Sequence, residues 1–247
     1  MKKEYWFILL TYMLMQLSGI VGISILNYLH IGETTTEKFG YWTIFSFTLA
    51  FLIILFLLRN DRKEVRLLRG KPSSVLATIG WSIGGVFLAY FSQVFAASIE
   101  INLFGVDPGS ENTQMLVNVI EVTPVLILVT SIIGPILEEI IFRKILFGVL
   151  YIRTNFFIAA LISSIIFSLL HGEPHHLLLY ASMGFTFAFL YVKTNRIIVP
   201  ILAHVTMNTL VILIQTVFRE DIEKMMKQYE DMQLEQHVQL IIGGFLS

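Results

Sequence analysis

The stretch GPILEEIIFRK, residues 134–144, places two adjacent carboxylates and an arginine inside an apolar run. Ionisable groups are costly in hydrocarbon, so they are rare in membrane segments and are usually functional there. Glu139 and Arg143 are four residues apart, which puts them on one face of a helix as an ion pair. Glu138 lies about 100° round the helix from Glu139. The spacing therefore predicts a carboxylate at Glu138 that has no partner and is free to act as a general base.

The composition of the whole chain is that of a membrane protein. Its 247 residues are 55% hydrophobic and only 14% charged, and the mean hydropathy is +0.75. A soluble domain is far less apolar. The pattern predicts an all-α polytopic bundle of about seven to eight transmembrane helices. The net charge of −1 argues against nucleic acid as a partner, and the lack of cysteine excludes disulfides, thiolate metal sites and a cysteine nucleophile.

Apolar segments of spanning length alternate with short polar stretches along the chain. The expected spans are 5–29, 41–58, 75–98, a long region 115–150 interrupted by Pro124 and by Gly134-Pro135, 155–171, 175–192 and 197–217. Beyond them, the mixed-charge tail 218–247 begins with apolar residues at helical spacing, which indicates an amphipathic surface helix.

Basic residues define the expected orientation in the membrane. Lys2, Lys3 and the basic run 59–71 place the N-terminus and this loop inside, because cytoplasmic loops are enriched in Lys and Arg. Arg153 and the pair Lys193 and Arg196 mark two further inside turns. The segment 100–114, which is acidic and contains no Lys or Arg, is expected outside.

Three further polar groups lie at unexpected depth. His204 and Asn208 are four residues apart and share a helical face. Glu138 lies 15 residues before the turn at Arg153 and His171 lies 18 residues after it, so antiparallel helices bring both to about 22 to 27 Å from that turn. His204 reaches the same depth if residues 195–199 are extended ahead of Pro200.

This predicted cluster of Glu138, His171, His204 and Asn208 is open to three interpretations. The histidines and the amide can serve helix packing alone. Glu138, His171 and His204 can bind zinc and activate water. They can equally act without metal, with Glu138 and His171 taking a proton from water while His204 and Asn208 donate to an oxyanion. Glu173, His175 and His176 are assigned to the following loop, without a direct role.

Three motifs in chain order resemble those of the CPBP intramembrane proteases, a family that includes the type II CAAX prenyl endopeptidases and the bacterial bacteriocin-processing or bacteriocin-immunity (Abi) proteins. They are Glu138-Glu139-x-x-x-Arg143, Phe167-x-x-x-His171 and His204-x-x-x-Asn208. The resemblance covers about residues 130–210. It implies a bundle of about eight spans, with a protease core at 115–217 of a transmembrane domain 1–217, and hydrolysis of peptide bonds within the membrane.

The resemblance also implies roles for individual residues. Glu138 acts as general base with His171, and His204 forms the oxyanion site with Asn208. Glu139, Arg143 and Phe167 are structural or orient the substrate. A glutamate-type mechanism without a cofactor is expected, and a zinc-dependent one is the alternative. The expected substrate is a small peptide or a membrane protein in the bilayer of a bacterial cytoplasmic membrane.

A non-enzymatic function is the competing class. The same family resemblance extends to bacteriocin-immunity proteins and membrane scaffolds, for which the buried charges would be structural. A transporter would also place charges near the membrane midplane, although it has no need of an oxyanion pair.

Overall fold

The computed structural model describes residues 2–59, 70–222, 224–228 and 231–232. Every regular element in these ranges is a helix, which confirms the all-α fold class. The α-helices are α1 (Lys3–Leu17), α2 (Gly19–Tyr28), α3 (Thr35–Leu58), α4 (Val75–Phe104), α5 (Glu111–Val122), α6 (Leu126–Leu128), α7 (Gly134–Glu138), α8 (Gly148–Arg153), α9 (Phe156–Leu169), α10 (Leu177–Thr194) and α11 (Ile198–Val217), joined by π-helical segments at Val129–Ile133 and Glu139–Phe147 and preceded at α10 by a 3-10 turn (Pro174–His176).

Four helices in the described ranges are long and apolar enough to cross a membrane, and the bent pair α1–α2 would make a fifth. They are α3, α4, α10 with its 3-10 turn, and α11. The protein is thus a polytopic helical membrane protein, with fewer full-length spans than the seven or eight expected. The difference lies in α9, which has only 14 residues, and in the helix 126–153, which carries four ionisable residues within seven positions.

The first expected span, 5–29, is two helices bent by 54° at Ser18. The indole Nε1 of Trp42 donates a hydrogen bond to the Ser18 hydroxyl over 2.9 Å. The ring lies so close to Gly22 that a Cβ atom there would overlap it. The helix that carries Trp42, α3, begins earlier than expected because Thr34 and Glu37 form a capping box.

Helix α4 continues to Phe104, beyond the expected end at residue 98, and stops at Gly105, whose φ of +65° favours glycine. Glu100, expected in an outer loop, is therefore helical and only 2% exposed. Its carboxylate accepts the Leu179 N–H over 3.0 Å and lies 3.1 Å from Nδ1 of His176. Glu100 thus caps the first turn of α10 from a neighbouring helix.

Residues 126–153 form one continuous helical run in which α and π turns alternate. The Gly134 N–H donates to the Val129 carbonyl, five residues back, immediately before Pro135. This π turn widens the helix ahead of the proline, which has no N–H of its own. The expected break at Gly134-Pro135 is therefore a local change of winding, and the chain does not separate into two crossings there.

Helices α10 and α11 are joined by a tight turn at Asn195, which has a left-handed conformation with a φ of +50°. The expectation that residues 195–199 are extended is wrong, because α11 begins at Ile198. Pro200 falls in the first turn of α11, where a missing N–H costs no hydrogen bond. Arg196 fixes this end of the bundle by donating from Nε to the Ser73 carbonyl over 2.8 Å.

The chain divides into two compact units, residues 1–209 and 210–247. The first unit contains α1 to α10 and the part of α11 up to Thr209, and therefore every candidate site residue. The second contains the end of α11 and further helical residues at 219–222. The amphipathic tail expected at 218–247 stays a prediction, since residues 223, 229–230 and 233–247 lie outside the described ranges, as do residues 60–69 of the basic loop.

Candidate active site

The predicted ion pair lies at the start of the second π segment. Nε of Arg143 is 3.3 Å from Oε2 of Glu139, and the two side chains are 1% and 0% exposed. The prediction from their spacing is confirmed. Because π turns are frequent at functional sites, the winding of Glu139–Phe147 is a further sign of function in this segment.

Arg143 is surrounded by aromatic rings. Its guanidinium carbon Cζ lies 4.5 Å from the ring centroid of Phe167, 5.3 Å from Phe187 and 5.8 Å from Phe142. The faces of these rings attract a cation that water cannot reach. Phe167 also meets the rings of His171 and His204 edge-on, with centroids 4.5 and 6.0 Å away. Its place in the motif thus has a physical reason, since it packs against three polar residues of the site.

His204 bridges the two adjacent carboxylates. Its Nδ1 is 2.9 Å from Oε1 of Glu139, and its Nε2 is 3.6 Å from Oε2 of Glu138. A carboxylate that is paired with arginine accepts hydrogen bonds, so Nδ1 of His204 carries the donated proton and Nε2 faces Glu138. At 3.6 Å the contact is longer than a hydrogen bond, and Oε2 of Glu138 has no hydrogen-bond partner among the described residues. The spacing along one helix cannot show that α11 brings an imidazole beside this carboxylate.

Glu138 and His204 lie side by side with unequal access to water. The 3.6 Å between Nε2 of His204 and Oε2 of Glu138 is longer than a hydrogen bond. Glu138 is 20% exposed whereas His204 is 2% exposed, so Glu138 is the member of the pair that water can reach.

His171 lies at the end of α9, beside the same cluster. Its Nδ1 is 2.8 Å from the Phe167 carbonyl, one turn earlier, so Nδ1 donates and Nε2 is left for chemistry. The rings of His171 and His204 both pack edge-on against Phe167. The structure therefore brings His171 beside the second histidine with which the sequence grouped it.

Asn208 lies one turn after His204 on α11, and its amide Nδ2 donates a long hydrogen bond of 3.5 Å to the Thr130 carbonyl. Thr130 stands five residues before Pro135, in the π turn. Since proline has no N–H, this carbonyl lacks the backbone donor that another residue at position 135 would supply. Asn208 is thereby anchored to the helix that carries Glu138.

Sequence reasoning missed three residues next to the site. Tyr180 stacks on His171, with ring centroids 4.1 Å apart. Tyr12 of α1 is buried against Phe142 and is within electrostatic reach of Glu138. Tyr12 lies in an apolar span outside the motif region, so no local pattern marks it. Glu173 had a signal in its position two residues after His171, but it was assigned to the loop.

Glu173 connects the turn after α9 with the start of α5. Its carboxylate accepts the Tyr180 hydroxyl over 2.5 Å, the Asn112 N–H over 2.9 Å and the Ser110 hydroxyl over 2.9 Å. Burial raises the pKa of this carboxyl, but these three hydrogen bonds to the charged form outweigh it and lower the pKa below its ordinary value. Glu173 is therefore a charged and fully engaged group.

Among the described residues, no three His, Asp or Glu side chains are arranged to hold a metal ion. Nδ1 of His204 is engaged by Glu139, and Nδ1 of His171 by a backbone carbonyl, so both imidazoles keep Nε2 for other contacts.

Comparisons with known proteins find one family and several bacterial relatives. Residues 120–210 match the family described as type II CAAX prenyl endopeptidase Rce1-like. The chain is 48% identical to the putative membrane peptidase YdiL of Bacillus subtilis, over 99% of both chains. It is 30% identical to the membrane-embedded CAAX protease MroQ of Staphylococcus aureus, over 90% of this chain and 94% of that one. No solved structure matches the chain significantly.

Proposed function

Because the chain belongs to the Rce1-like CAAX protease family, as a multi-pass bacterial membrane peptidase, we propose that it cleaves an internal peptide bond of a small peptide or membrane protein with water activated by Glu138 and His171. The observation that carries this proposal is the contact of His204 with both carboxylates. It places the half-buried carboxylate of Glu138 beside an imidazole that Glu139 anchors from its other side.

In the proposed reaction, Glu138 with His171 removes a proton from water as the water oxygen attacks the peptide carbonyl carbon. The carbonyl π electrons move to oxygen, and the oxyanion accepts hydrogen bonds from Nε2–H of His204 and from the Asn208 amide. Collapse of this intermediate breaks the C–N bond. Glu138 then returns its proton to the departing amine nitrogen, which restores the starting state.

Glu139, Arg143 and Phe167 act in this proposal through His204. Glu139 accepts from Nδ1 of His204, which fixes the orientation of the imidazole. Arg143 pairs with Glu139, and Phe167 packs against Arg143 and both histidines. These contacts keep the oxyanion donor in place before the substrate arrives.

The test compares peptides released by membranes that contain the wild type with those from membranes that contain Glu138→Gln. The amide has nearly the shape of the carboxylate and cannot take the proton, so products of the enzyme should be absent with Glu138→Gln. Glu111→Gln, an exposed change of the same type, is the matched control and should release the wild-type products. Identical profiles for the wild type and Glu138→Gln, with both proteins folded, would favour an immunity or scaffold function.

A further inference from the structure

The turn between α9 and α10 carries a second polar group, next to the site but separate from its motifs. Here the Glu173 carboxylate receives the three hydrogen bonds from Tyr180, Asn112 and Ser110 described above. The Tyr180 hydroxyl also lies 3.3 Å from the Ser110 hydroxyl. We call Ser110, Asn112, Glu173 and Tyr180 the outer clamp. It joins the first turn of α5 to the first turn of α10.

The outer clamp touches the site through one contact. The Tyr180 ring lies nearly parallel to the His171 imidazole, with 4.1 Å between centroids and 24° between planes. On another side the Phe167 ring meets the imidazole edge-on. With Nδ1 bonded to the Phe167 carbonyl, the remaining rotation of His171 is limited by the position of Tyr180.

The position of Tyr180 is in turn fixed by a charge. Tyr180 is only 8% exposed, and a buried hydroxyl needs a partner. A hydrogen bond to a carboxylate is stronger than one to a neutral acceptor, so Glu173 restrains the phenol more firmly than an amide would. Asn112 and Ser110 hold the carboxylate from α5. A chain of contacts thus runs from α5 through Glu173 and Tyr180 to His171.

We propose that Glu173 and Tyr180 are positioning residues of the peptidase: the outer clamp holds the His171 imidazole at the orientation in which it works with Glu138. This inference rests on the proposed function, since it assigns a purpose to His171. It gives α5, which lies outside the three motifs, a share in the chemistry. Neither Glu173 nor Tyr180 contacts the substrate in this proposal.

The kinetic test uses Tyr180→Phe, which keeps the ring and removes the hydroxyl, and Glu173→Gln, which keeps the shape and removes the charge. Misplacing a catalytic group by about 1 Å can cost about 10²-fold, so we expect kcat to fall by roughly 10- to 100-fold. KM should stay within about twofold, because substrate binding is not touched. Tyr90→Phe and Glu111→Gln, both exposed, are the matched controls and should keep wild-type kcat.

A purely structural role predicts a different pattern. The amount of folded protein would then fall with Tyr180→Phe and Glu173→Gln, while kcat per folded molecule would stay at the wild-type value. That result would overturn the proposal.

A second readout does not depend on activity. The measurement is the NMR spectrum of protein isotopically labelled at its six histidines. The NMR signals of the His171 ring are identified because they disappear in His171→Gln. Stacking on Tyr180 shields the imidazole protons, so Glu173→Gln and Tyr180→Phe should move these signals downfield, toward those of an unstacked ring. Unchanged His171 signals would contradict the clamp even if proteolysis is established. Absence of proteolysis in the wild type would contradict the proposed function and leave the signal shift as the test of the clamp.

Discussion

At the scale of single residues, the site depends on charges that water cannot reach. Glu139 has two partners, the Arg143 guanidinium and Nδ1 of His204, and all three side chains are at most 2% exposed. Removing one partner leaves a buried charge without compensation, which destabilises the folded protein. The three residues therefore affect stability and chemistry to different degrees.

Arg143→Ala should lower stability more than activity per folded molecule. The change leaves Glu139 buried with His204 as its partner, and breaking a buried pair costs about 3 kcal/mol or more. We expect the protein level and the free energy of unfolding in mixed detergent micelles to fall, with partial recovery in Arg143→Lys. Arg153→Ala, at an exposed arginine, is the control. Wild-type level and stability in Arg143→Ala would refute the role of the ion pair.

Asn208→Ala should be slow, whereas Glu138→Gln should be inactive. Losing one oxyanion donor costs on the order of 10²–10³ in kcat and leaves a measurable rate, since the other donor remains. Loss of the base removes the step that generates the nucleophile. Rates of purified folded variants on an identified peptide measure both effects. Equal inactivity of the two variants would argue against separate roles.

A chelator separates the glutamate-type mechanism from the zinc alternative. We expect purified protein to keep its activity in chelator, because Glu138 and His171 activate water without an ion in the proposed reaction. If Glu138, His171 and His204 bind zinc, chelation should abolish activity and stoichiometric zinc should restore it. Metal content measured alongside the rates decides between the two.

At the scale of helices, close packing depends on small residues at particular contacts. Helices α9 and α10 approach each other at Ser164 and Gly184, where a Cβ atom on the glycine would lie 2.8 Å from the Ser164 hydroxyl and 3.0 Å from its Cα. Small residues at such points let helices approach closely in a membrane. This contact sets the distance between the helix that carries Phe167 and the helix that carries Tyr180.

Gly184→Ala should therefore destabilise the bundle by about 1–3 kcal/mol, because the added methyl group meets backbone that cannot move aside. Gly80→Ala is the matched control, since nothing lies within 4 Å of a Cβ atom there. In a helix, alanine is favoured over glycine by up to about 1 kcal/mol, so the control should be neutral or stabilising. The midpoints of unfolding in mixed micelles give the comparison. A stable Gly184→Ala would contradict the close approach.

At the scale of the whole molecule, contacts between segments agree with the charge distribution. Within residues 1–209, the start of α4 meets the turn between α10 and α11 through Ser73, Thr194 and Arg196, next to basic sequence. The acidic stretch before α5 meets the turn after α9 through Ser110 and Glu173. The predicted orientation would put the first set of contacts on the cytoplasmic side and the second set outside.

The orientation can be tested directly because the chain has no cysteine of its own. A cysteine at Ser74, at the start of α4, should react with a membrane-impermeant thiol reagent only from the cytoplasmic side. A cysteine at Thr35, at the start of α3, should react only from outside. Both positions are exposed, so reagent access is not limiting. Labelling of both from the same side would overturn the topology.

The sequence by itself determined the features that depend on composition and local spacing. The apolar composition indicated a helical membrane protein, and the four-residue spacing of Glu139 and Arg143 predicted their ion pair, because both properties belong to a single helix. The three motifs, in order, identified the family that the relatives then showed.

Only the tertiary structure decided which group faces which across helices. It brought the His204 imidazole beside Glu138, stacked Tyr180 on His171, buried Glu100 against α10 and placed the Trp42 ring at the bend near Ser18. Hydrophobic periodicity records which side of a helix is apolar, but it does not record the axial register of one helix against another. That register is set by packing at contacts such as Gly184 with Ser164, between residues distant in sequence.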